Sequence, residues 1–395
     1  MPGVRALSPV PRGRRASTVG EAEALPEIDR LDGFAHPRET ADLYGHGAAE
    51  RAIGEAYRAG AMHHAWLITG PEGIGKATLA YRAARFILGG GDAAAGEMFA
   101  RDDLGVPEES RVFRQVAVMS HPGLLVIRRT WDPKRKRFTA SIPVDEVRRL
   151  KTFLALSAGG GDWRAVVIDR ADELNVNAAN ALLKSLEEPP GRCVFLLVSA
   201  EPGRLPATIH SRCRRLALQP LDGETLARAC AAATPEGGDD PTESADWPVL
   251  AGLSRGSVRR ALMLAEDGGL SLYRDLFALL ASLPKLDRAL AIRIADGCAG
   301  VAGEARGELF FALLGDLLAR LVRHAARGEG AIGEEARIAG RVMAGAGLAR
   351  WAELWETLHR EKRQAEAVNL DRRTLVLETC LRLEAVARET AVRAA

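Results

Sequence analysis

The chain has little cysteine, and its five cysteines are widely separated, at positions 193, 213, 230, 298 and 380. No two of them form a Cys-x-x-Cys pair. The sequence therefore predicts neither a disulfide framework nor a zinc site built on cysteine, because both require cysteines in pairs or clusters. Free cysteines of this kind favour the reducing cytoplasm as the place where the protein works.

Long apolar runs and an excess of one charge are also missing. The longest predominantly apolar stretch, residues 193–200, is far shorter than the ~20 residues a helix needs to cross a bilayer. The 54 Lys and Arg stand against 52 Asp and Glu, a net charge of +2, which argues against a strongly basic nucleic-acid coat protein. At about 150 residues per domain, 395 residues leave room for two or three domains.

The first segment, residues 1–38, has five prolines, six arginines and no hydrophobic periodicity. Such a composition does not bury enough apolar surface to offset the entropy lost on ordering, so we expect residues 1–38 to be disordered. The pair at Arg14 and Arg15 is followed by four acids and no apolar stretch, so it does not predict an export signal. A passive tail is favoured over a DNA-binding arm.

A glycine-rich loop joins a predicted buried strand at residues 65–69 to a predicted helix at residues 77–88. A strand, glycine loop and helix in this order is the context in which backbone N–H groups converge on phosphate oxygens. Lys76 would add a positive charge to such a phosphate site. The loop's glycines are Gly70, Gly73 and Gly75. The alternative is an ordinary glycine-rich turn.

Two positions beside this loop differ from those of a competent ATPase. Ala77 follows Lys76 where a Ser or Thr hydroxyl usually holds Mg²⁺, and Thr78 comes one residue later, a rotation of about 100° on a helix. A second predicted strand ends in Asp169, and Arg170 stands next to it where a glutamate would polarise the attacking water. A cation does not act as that base, so the two changes predict a pocket that does not hydrolyse ATP efficiently.

Three further segments resemble the clamp-loader subunits of bacterial DNA polymerase III, within the AAA+ ATPases. Residues 177–190, a predicted helix that ends at a double proline, are similar to the family's signature helix. Residues 194–199 form a predicted strand whose last residue, Ser199, matches the nucleotide-sensing polar position. Residues 208–213 are similar to the Ser-Arg-Cys motif of the family. The resemblance is close over about residues 40–265.

The resemblance implies roles for particular residues. Arg212 of the Ser-Arg-Cys motif would project into the ATP site of a neighbouring subunit, although an ordinary surface arginine is the alternative. Arg259, in the segment 256–262, matches the second sensor, and residues 43–46 match a motif that frames the adenine pocket. Gly70, Gly73, Gly75, Lys76, Thr78, Asp169 and Ser199 are the other candidate nucleotide-binding residues. No metal ligand is predicted.

The resemblance also implies the architecture. We expect an α/β core of the AAA+ type at residues 39–219, with a parallel sheet and flanking helices. A small helical lid at residues 220–268 and an all-α collar for oligomerisation at residues 269–395 would follow. Apolar residues at helical spacing after residue 270, such as Phe310 and Leu314, are expected in the collar's core.

Among these subunits, the delta-prime class fits best, since it donates an arginine without consuming nucleotide. It implies a cytoplasmic hetero-oligomer with gamma/tau and delta subunits, a sliding clamp and primer-template DNA. Little or no ATPase activity of its own is expected from this component of the polymerase holoenzyme. ATP is the candidate nucleotide at the altered loop, with impaired magnesium binding and no zinc, because the family's four-cysteine module is missing. No membrane partner is expected.

Two other functions stay open. The chain could be an active gamma/tau-like motor of a clamp loader or of a recombination complex, in which case it would turn over ATP by itself. It could also be a plain DNA-binding protein with a vestigial loop, which would bind duplex DNA strongly and with a marked salt dependence. A basic run at residues 131–137 is expected at the tip of a hairpin, as solvated charge or as a contact to duplex phosphates.

Overall fold

The structure is a computed structural model of the whole chain. It describes residues 26–28, 30–31, 33–91, 103–134, 137–155, 163–235, 237–266, 268–300, 303–343, 347–367 and 371–394. The elements below belong to these residues. Most of residues 1–38, the stretch expected to be disordered, lies outside them.

A five-stranded parallel sheet forms the centre of the N-terminal half. Four of its strands are mostly buried and apolar because helices cover both faces. The fifth, at residues 214–217 on one edge of the sheet, begins with two arginines and is largely exposed. In the strand Cys193–Ser199 all seven residues are buried. The strands of the chain are β1 (Ala65–Thr69), β2 (Leu124–Ile127), β3 (Trp131–Asp132), β4 (Arg137–Phe138), β5 (Arg164–Ile168), β6 (Cys193–Ser199) and β7 (Arg214–Ala217). The order in the sheet is β2-β5-β6-β1-β7.

Parallel pairing brings the carboxyl ends of the central strands together. Thr69 at the end of β1 is level with Ser199 at the end of β6, and Ile168 of β5 is level with Leu197 of β6. The glycine loop after β1 and Asp169 after β5 therefore lie at the same edge of the sheet. Ligands of open α/β sheets bind at such an edge.

Fifteen α-helices are described outside the gaps in the chain. In the first half they are α1 (Gly47–Arg58), α2 (Lys76–Leu88), α3 (Arg111–Ala117), α4 (Val144–Ala155), α5 (Val176–Glu187), α6 (Ala207–His210), α7 (Gly223–Ala233), α8 (Trp247–Ser254) and α9 (Val258–Glu266). The last six are α10 (Gly269–Ser282), α11 (Arg288–Gly297), α12 (Glu304–Arg327), α13 (Glu335–Val342), α14 (Leu348–Ala367) and α15 (Arg372–Ala394).

The predicted signature helix is α5. Its N-terminus is capped by the side chain of Asn175, which accepts a hydrogen bond of 2.8 Å from the Ala178 N–H. The helix ends at Glu187, two residues before the double proline, because proline lacks the N–H that would continue it. The sequence prediction of this helix and its end is confirmed.

The described C-terminal residues after Gly268 are entirely helical. One apolar cluster joins α8 to α15, and α12 is its central helix. The predicted apolar stripe of α12 is buried, with Phe310, Leu313, Leu314, Leu317, Leu318 and Leu321 each at most 1% exposed. The C-terminal region is all-helical, as the sequence predicted, and its core is continuous with residues of α8 and α9.

The predicted basic hairpin is present but smaller than expected. Strands β3 and β4 pair in antiparallel register, with Trp131 opposite Phe138. The apolar residues that precede the hairpin form β2 and pair with β5 in the main sheet. Among the described helices, none has both the length and the apolar content that crossing a bilayer would take.

The described residues before position 39 differ from the predicted disorder. His36 and Arg38 are buried, and the Glu27 carboxylate lies 2.9 Å from the guanidinium of Arg38 and 2.8 Å from that of Arg128, just after β2. Arg38 also donates a hydrogen bond of 2.7 Å to the carbonyl of Ala117. Ion pairs and buried polar contacts, which apolar periodicity does not reveal, therefore attach this segment to the core.

Candidate functional site

The glycine loop, residues 70–75, adopts backbone angles that favour glycine. Gly70, Gly73 and Gly75 have φ values of 145°, 75° and 106°. Helix α2 begins directly after Gly75, and no side chain caps its first N–H groups. Uncapped N–H groups at a helix N-terminus form an anion site when the preceding loop wraps around it. The loop therefore has the backbone geometry that the sequence predicted.

Gly73 lies directly against α9 and the residue before it. A Cβ at this position would come within 2.3 Å of the Ser257 hydroxyl and 2.7 Å of the Arg259 Cβ. The Arg259 N–H also donates a 3.3 Å hydrogen bond to the Gly73 carbonyl. The loop is thus held by the segment in which the sequence predicted the second sensor.

His46 holds the loop from the other side. Its Nε2 lies 2.7 Å from the carbonyl oxygen of Ile74, and since a carbonyl only accepts, the ring nitrogen donates. Burial lowers the pKa of His46, while this hydrogen bond opposes the shift. His46 belongs to the segment 43–46, which the sequence analysis expected to frame an adenine pocket. In the structure this residue lies next to the loop.

Lys76 is almost completely buried, and its one hydrogen bond within the described chain goes to the carbonyl of Pro71. Burial lowers the pKa of Lys76 to about 8, although the carboxylates of Glu72, Asp169 and Asp172 oppose the shift. An ammonium group has three N–H donors, so the buried lysine keeps donors for an anion in the same loop.

Arg170 has a left-handed backbone with φ 55°, directly after Asp169. Its guanidinium forms an ion pair with Glu72 of the glycine loop and another, of 2.9 Å, with Glu173. The pair with Glu72 connects the end of β5 to the loop after β1. The residue that replaces the expected glutamate is therefore a cation at the edge of the phosphate loop.

A cavity of about 410 Å³ opens beside the loop. Of the nine predicted site residues, it is lined by Gly73, Gly75, Lys76, Thr78, Asp169 and Arg259. Gly70, Ser199 and Arg212 are not among the described residues that line the cavity. Ser199 is fully buried at the end of β6, between Val198 and Ala200, which do line the cavity. The structure thus brings six of the predicted residues to one site.

The donor set of this cavity does not fit a magnesium ion. Oxygen ligands are required, and Ala77 presents a methyl group where the loop hydroxyl would stand. Asp169 supplies a carboxylate after β5, but the neighbouring Arg170 places a positive charge at the same edge and is paired with Glu72. Among the described residues, no cluster of three or more His, Cys, Asp and Glu side chains could hold a metal ion.

Part of the cavity lining is apolar, and the sequence reasoning missed two of its residues. Leu31 and Phe34 line it together with Tyr44, Leu221 and Leu262. Leu31 and Phe34 also pack against the apolar cluster of α7 and α9. They lie in the segment expected to be disordered. The one feature of the sequence that could have indicated their burial is that two apolar residues stand shortly before Pro37.

Arg212 lies outside the cavity, in the turn between α6 and β7. Its guanidinium is 2.8 Å from the carboxylate of Glu187 at the end of α5, and its side chain is 34% exposed. It also donates a hydrogen bond of 3.0 Å to the carbonyl of Thr208. The next residue, Cys213, is part of the apolar packing under the sheet, and burial raises the pKa of its thiol to about 12.

Comparison with known proteins relates part of the chain to subunits of DNA polymerase III. The model of the family described as DNA polymerase III, delta subunit, matches residues 45–222. DNA polymerase III subunit delta-prime of Pseudomonas aeruginosa is 39% identical over 210 residues, which are 52% of this chain and 56% of that protein. Residues 45–222 are therefore similar to this family of DNA polymerase III subunits and to a delta-prime subunit.

Two other relatives, one delta-prime subunit and one tau subunit, also match only part of their own length. The delta-prime subunit of Escherichia coli K12 is 34% identical over 165 residues, 42% of this chain and 45% of that protein. DNA polymerase III subunit tau of the same organism is 29% identical over 290 residues, 72% of this chain and 41% of that protein. The chain thus spans about half the length of the curated relatives it matches.

Proposed function

We propose that this chain is a delta-prime subunit of a bacterial clamp loader and that it acts as a stator. In this role it hydrolyses ATP weakly or not at all, and it supplies Arg212 to the ATP site of a neighbouring motor subunit. The observation that carries the proposal is the separation of two arginines. Arg170 is ion-paired at the chain's own phosphate loop, whereas Arg212 lies outside that cavity and is partly exposed.

Weak hydrolysis follows from the residues at the end of β5. Hydrolysis needs a base that orients the attacking water and a metal ion that bridges the phosphates. Arg170 occupies the position of the base and Ala77 that of the metal-binding hydroxyl. Neither side chain performs the chemistry that its position requires.

Arg212 has the chemistry that action in trans requires. A guanidinium stays protonated and offers several donors in a rigid plane, so it stabilises charge on a transferring phosphoryl group. The ion pair with Glu187 is at the surface, where such pairs contribute only about 0–1 kcal/mol. A neighbouring phosphate therefore competes readily for the same guanidinium.

The partners that we propose are gamma/tau and delta subunits, a sliding clamp and primer-template DNA. The kinship with delta-prime and tau proteins supports a shared assembly. A net charge of +2 also suits contact with other subunits better than independent binding of DNA, whose affinity depends on many cationic contacts. The assembled loader would open the clamp and place it on primed DNA.

The test combines this chain with gamma/tau and delta subunits from the same source and measures clamp- and DNA-stimulated ATPase. We expect Arg212→Ala to lower the rate at least about tenfold, since trans-acting arginines contribute 10³–10⁵ in related phosphoryl transfer. Arg204→Ala is the matched control, because Arg204 is an exposed arginine eight residues earlier in the chain that pairs with Glu201. An unchanged rate with Arg212→Ala, in an assembled complex, would show that the trans role is wrong.

An active motor is the second candidate function, and the alignment with tau over 72% of this chain favours it. A motor would hydrolyse ATP without partners, at a rate that falls with Lys76→Ala. The stator predicts no turnover above background from the purified chain. Turnover by the isolated chain that disappears with Lys76→Ala would decide for the motor.

A further inference from the structure

The cavity beside the phosphate loop combines cationic groups with a donor set unsuited to Mg²⁺. Lys76, Arg170 and Arg259 all line it. The uncapped N-terminus of α2 adds the positive end of a helix dipole at the same point. These groups offer positive charge to a phosphate at the loop without a divalent cation, while the carboxylates of Glu39, Asp42, Glu72, Glu108 and Asp169 line the same cavity.

We propose that this cavity binds a nucleoside di- or triphosphate without a divalent cation, and that the Arg170 guanidinium provides the charge that Mg²⁺ provides in active ATPases. The ligand of the chain's own cavity is independent of the stator role, and it can be tested without partner subunits. Guanidinium groups bind phosphate oxygens through paired N–H donors, a geometry that suits this substitution.

The apolar part of the cavity lining indicates a nucleotide rather than an inorganic anion. Leu31, Phe34, Tyr44 and Leu262 line the cavity and belong to one apolar cluster. A base requires such an apolar wall, whereas phosphate or pyrophosphate alone does not. The volume of about 410 Å³ lies in the range of sites for small organic ligands.

Carboxylates oppose a bound anion and limit the affinity of the cavity. Five of them, Glu39, Asp42, Glu72, Glu108 and Asp169, line it. Glu72 and Glu173 hold Arg170, and Asp172 acts on Lys76. Glu72 is the weakest of the groups that hold Arg170, because its side chain is 58% exposed and water already competes for it. A phosphate at the loop would therefore displace Glu72 from Arg170 and leave the more buried Glu173 in place.

The main experiment is calorimetric titration of the full chain with ATP and with ADP, in the presence of EDTA and in the presence of magnesium. We expect binding under both conditions, with dissociation constants within about threefold of each other. Inorganic phosphate at the same concentrations is expected to bind far more weakly, because it lacks a base. Loss of ATP and ADP binding in EDTA, or no binding under either condition, would overturn the proposal.

Variants separate the role of Arg170 from general damage to the loop. In EDTA, Arg170→Gln is expected to weaken ADP binding about tenfold or more, and Glu72→Gln is expected to strengthen it because it removes the competing carboxylate. Arg148→Gln is the matched control, since Arg148 is an exposed arginine paired with Asp145 on α4. An Arg170→Gln protein that unfolds at the normal temperature and binds ADP normally would contradict the proposal.

A third experiment uses a double variant that should gain magnesium-dependent ATP binding. Ala77→Thr combined with Arg170→Glu restores the hydroxyl and the acidic residue that a metal-dependent site contains. We expect this double variant to bind ATP better with magnesium than with EDTA, by about tenfold, where the original chain shows no preference. A folded double variant that still ignores magnesium would show that these two positions do not set the metal requirement.

Discussion

The guanidinium of Arg212 lies 2.8 Å from the carboxylate of Glu187, at the point where α5 ends. Helix α5, which resembles the signature helix of the clamp-loader family, therefore binds Arg212, which resembles the family's trans-acting arginine. Both side chains are at the surface, and in the trans role that we propose the pair would separate before Arg212 reaches a neighbour's phosphates. In that role Glu187 competes for the arginine and does not support it.

Neutralising Glu187 should make Arg212 easier to recruit. We expect Glu187→Gln to lower, by up to about fivefold, the concentration of this chain that half-saturates the ATPase of the combined subunits, since an exposed pair contributes at most about 1 kcal/mol. The adjacent Glu188→Gln serves as the control. A fall in maximal rate as large as that of Arg212→Ala would instead mean that Glu187 orients the arginine.

A buried ion pair in the C-terminal helices should dominate their stability. Glu335 is fully buried, 2.7 Å from the guanidinium of Arg320, and accepts a 2.7 Å hydrogen bond from the Tyr273 hydroxyl. Burial, together with this carboxylate, raises the pKa of Tyr273, so the hydroxyl stays protonated. Glu335→Ala would leave the Arg320 charge buried without its partner, at a cost of about 3–5 kcal/mol.

Urea unfolding followed by tryptophan fluorescence measures this cost, because Trp351 lies in the same apolar cluster. Glu334→Ala is the control one residue away, since Glu334 is exposed and pairs with Arg337 at the surface. The control should change the unfolding free energy by less than about 1 kcal/mol. Equal effects of the two substitutions would refute the importance of the buried pair.

A methyl group at Gly73 should separate the phosphate loop from α9. The added Cβ would meet both Ser257 and Arg259 at contact distances that no folded protein keeps, and the left-handed φ of 75° adds about 1–2 kcal/mol of strain. Gly60→Ala isolates the backbone term, because Gly60 has φ 64° with no atom within 4 Å of an added Cβ. We expect a larger loss of urea stability for Gly73→Ala, with nucleotide binding lost only in that variant.

The attachment of residues before position 39 should weaken in acid. Burial, reinforced by Arg38, lowers the pKa of His36 to about 3 from an ordinary value of 6.5. The folded state therefore excludes a proton that the unfolded state binds, so stability is complete above pH 6.5 and falls as the pH decreases toward 3. The slope in this window approaches about 1.4 kcal/mol per pH unit.

Urea unfolding at pH 7 and pH 5 tests the contribution of His36. Burial also lowers the pKa of His46 and of His64, so part of the slope should remain when His36 is replaced. We expect the stability of His36→Leu to depend less on pH than that of the original chain. Burial would raise the pKa of the Glu27 carboxyl, but hydrogen bonds from its arginine partners lower it to about 2. Protonation of Glu27 therefore affects stability only below pH 4.5. Identical pH dependences in the two proteins would exclude His36 as a contributor.

The sequence predicted those parts of the fold that local patterns determine. Continuous apolar runs identified β1, β5 and β6, and the double proline identified the end of α5. The same patterns placed Gly73, Gly75 and Lys76 at one site, because a strand, loop and helix fix one another's direction.

Such local patterns do not predict ion pairs between residues that are far apart in the sequence. The contact of Arg170 with Glu72 joins residues 98 positions apart, and that of Arg128 with Glu27 joins residues 101 apart. Neither has a period or a local motif that a sequence reveals. The disorder expected through residue 38 failed for the same reason, because its ordered part depends on ion pairs formed with distant segments.

The position of Leu31 and Phe34 in the cavity wall has a practical consequence for anyone preparing the protein. A shortened form starting at residue 39 would look reasonable from composition alone, yet it would lack this wall and the Glu27 anchor. Such a form would present an opened cavity, and its failure to bind a nucleotide would wrongly be attributed to the altered phosphate loop. Chains trimmed for crystallisation or binding work should keep residue 26 and everything after it.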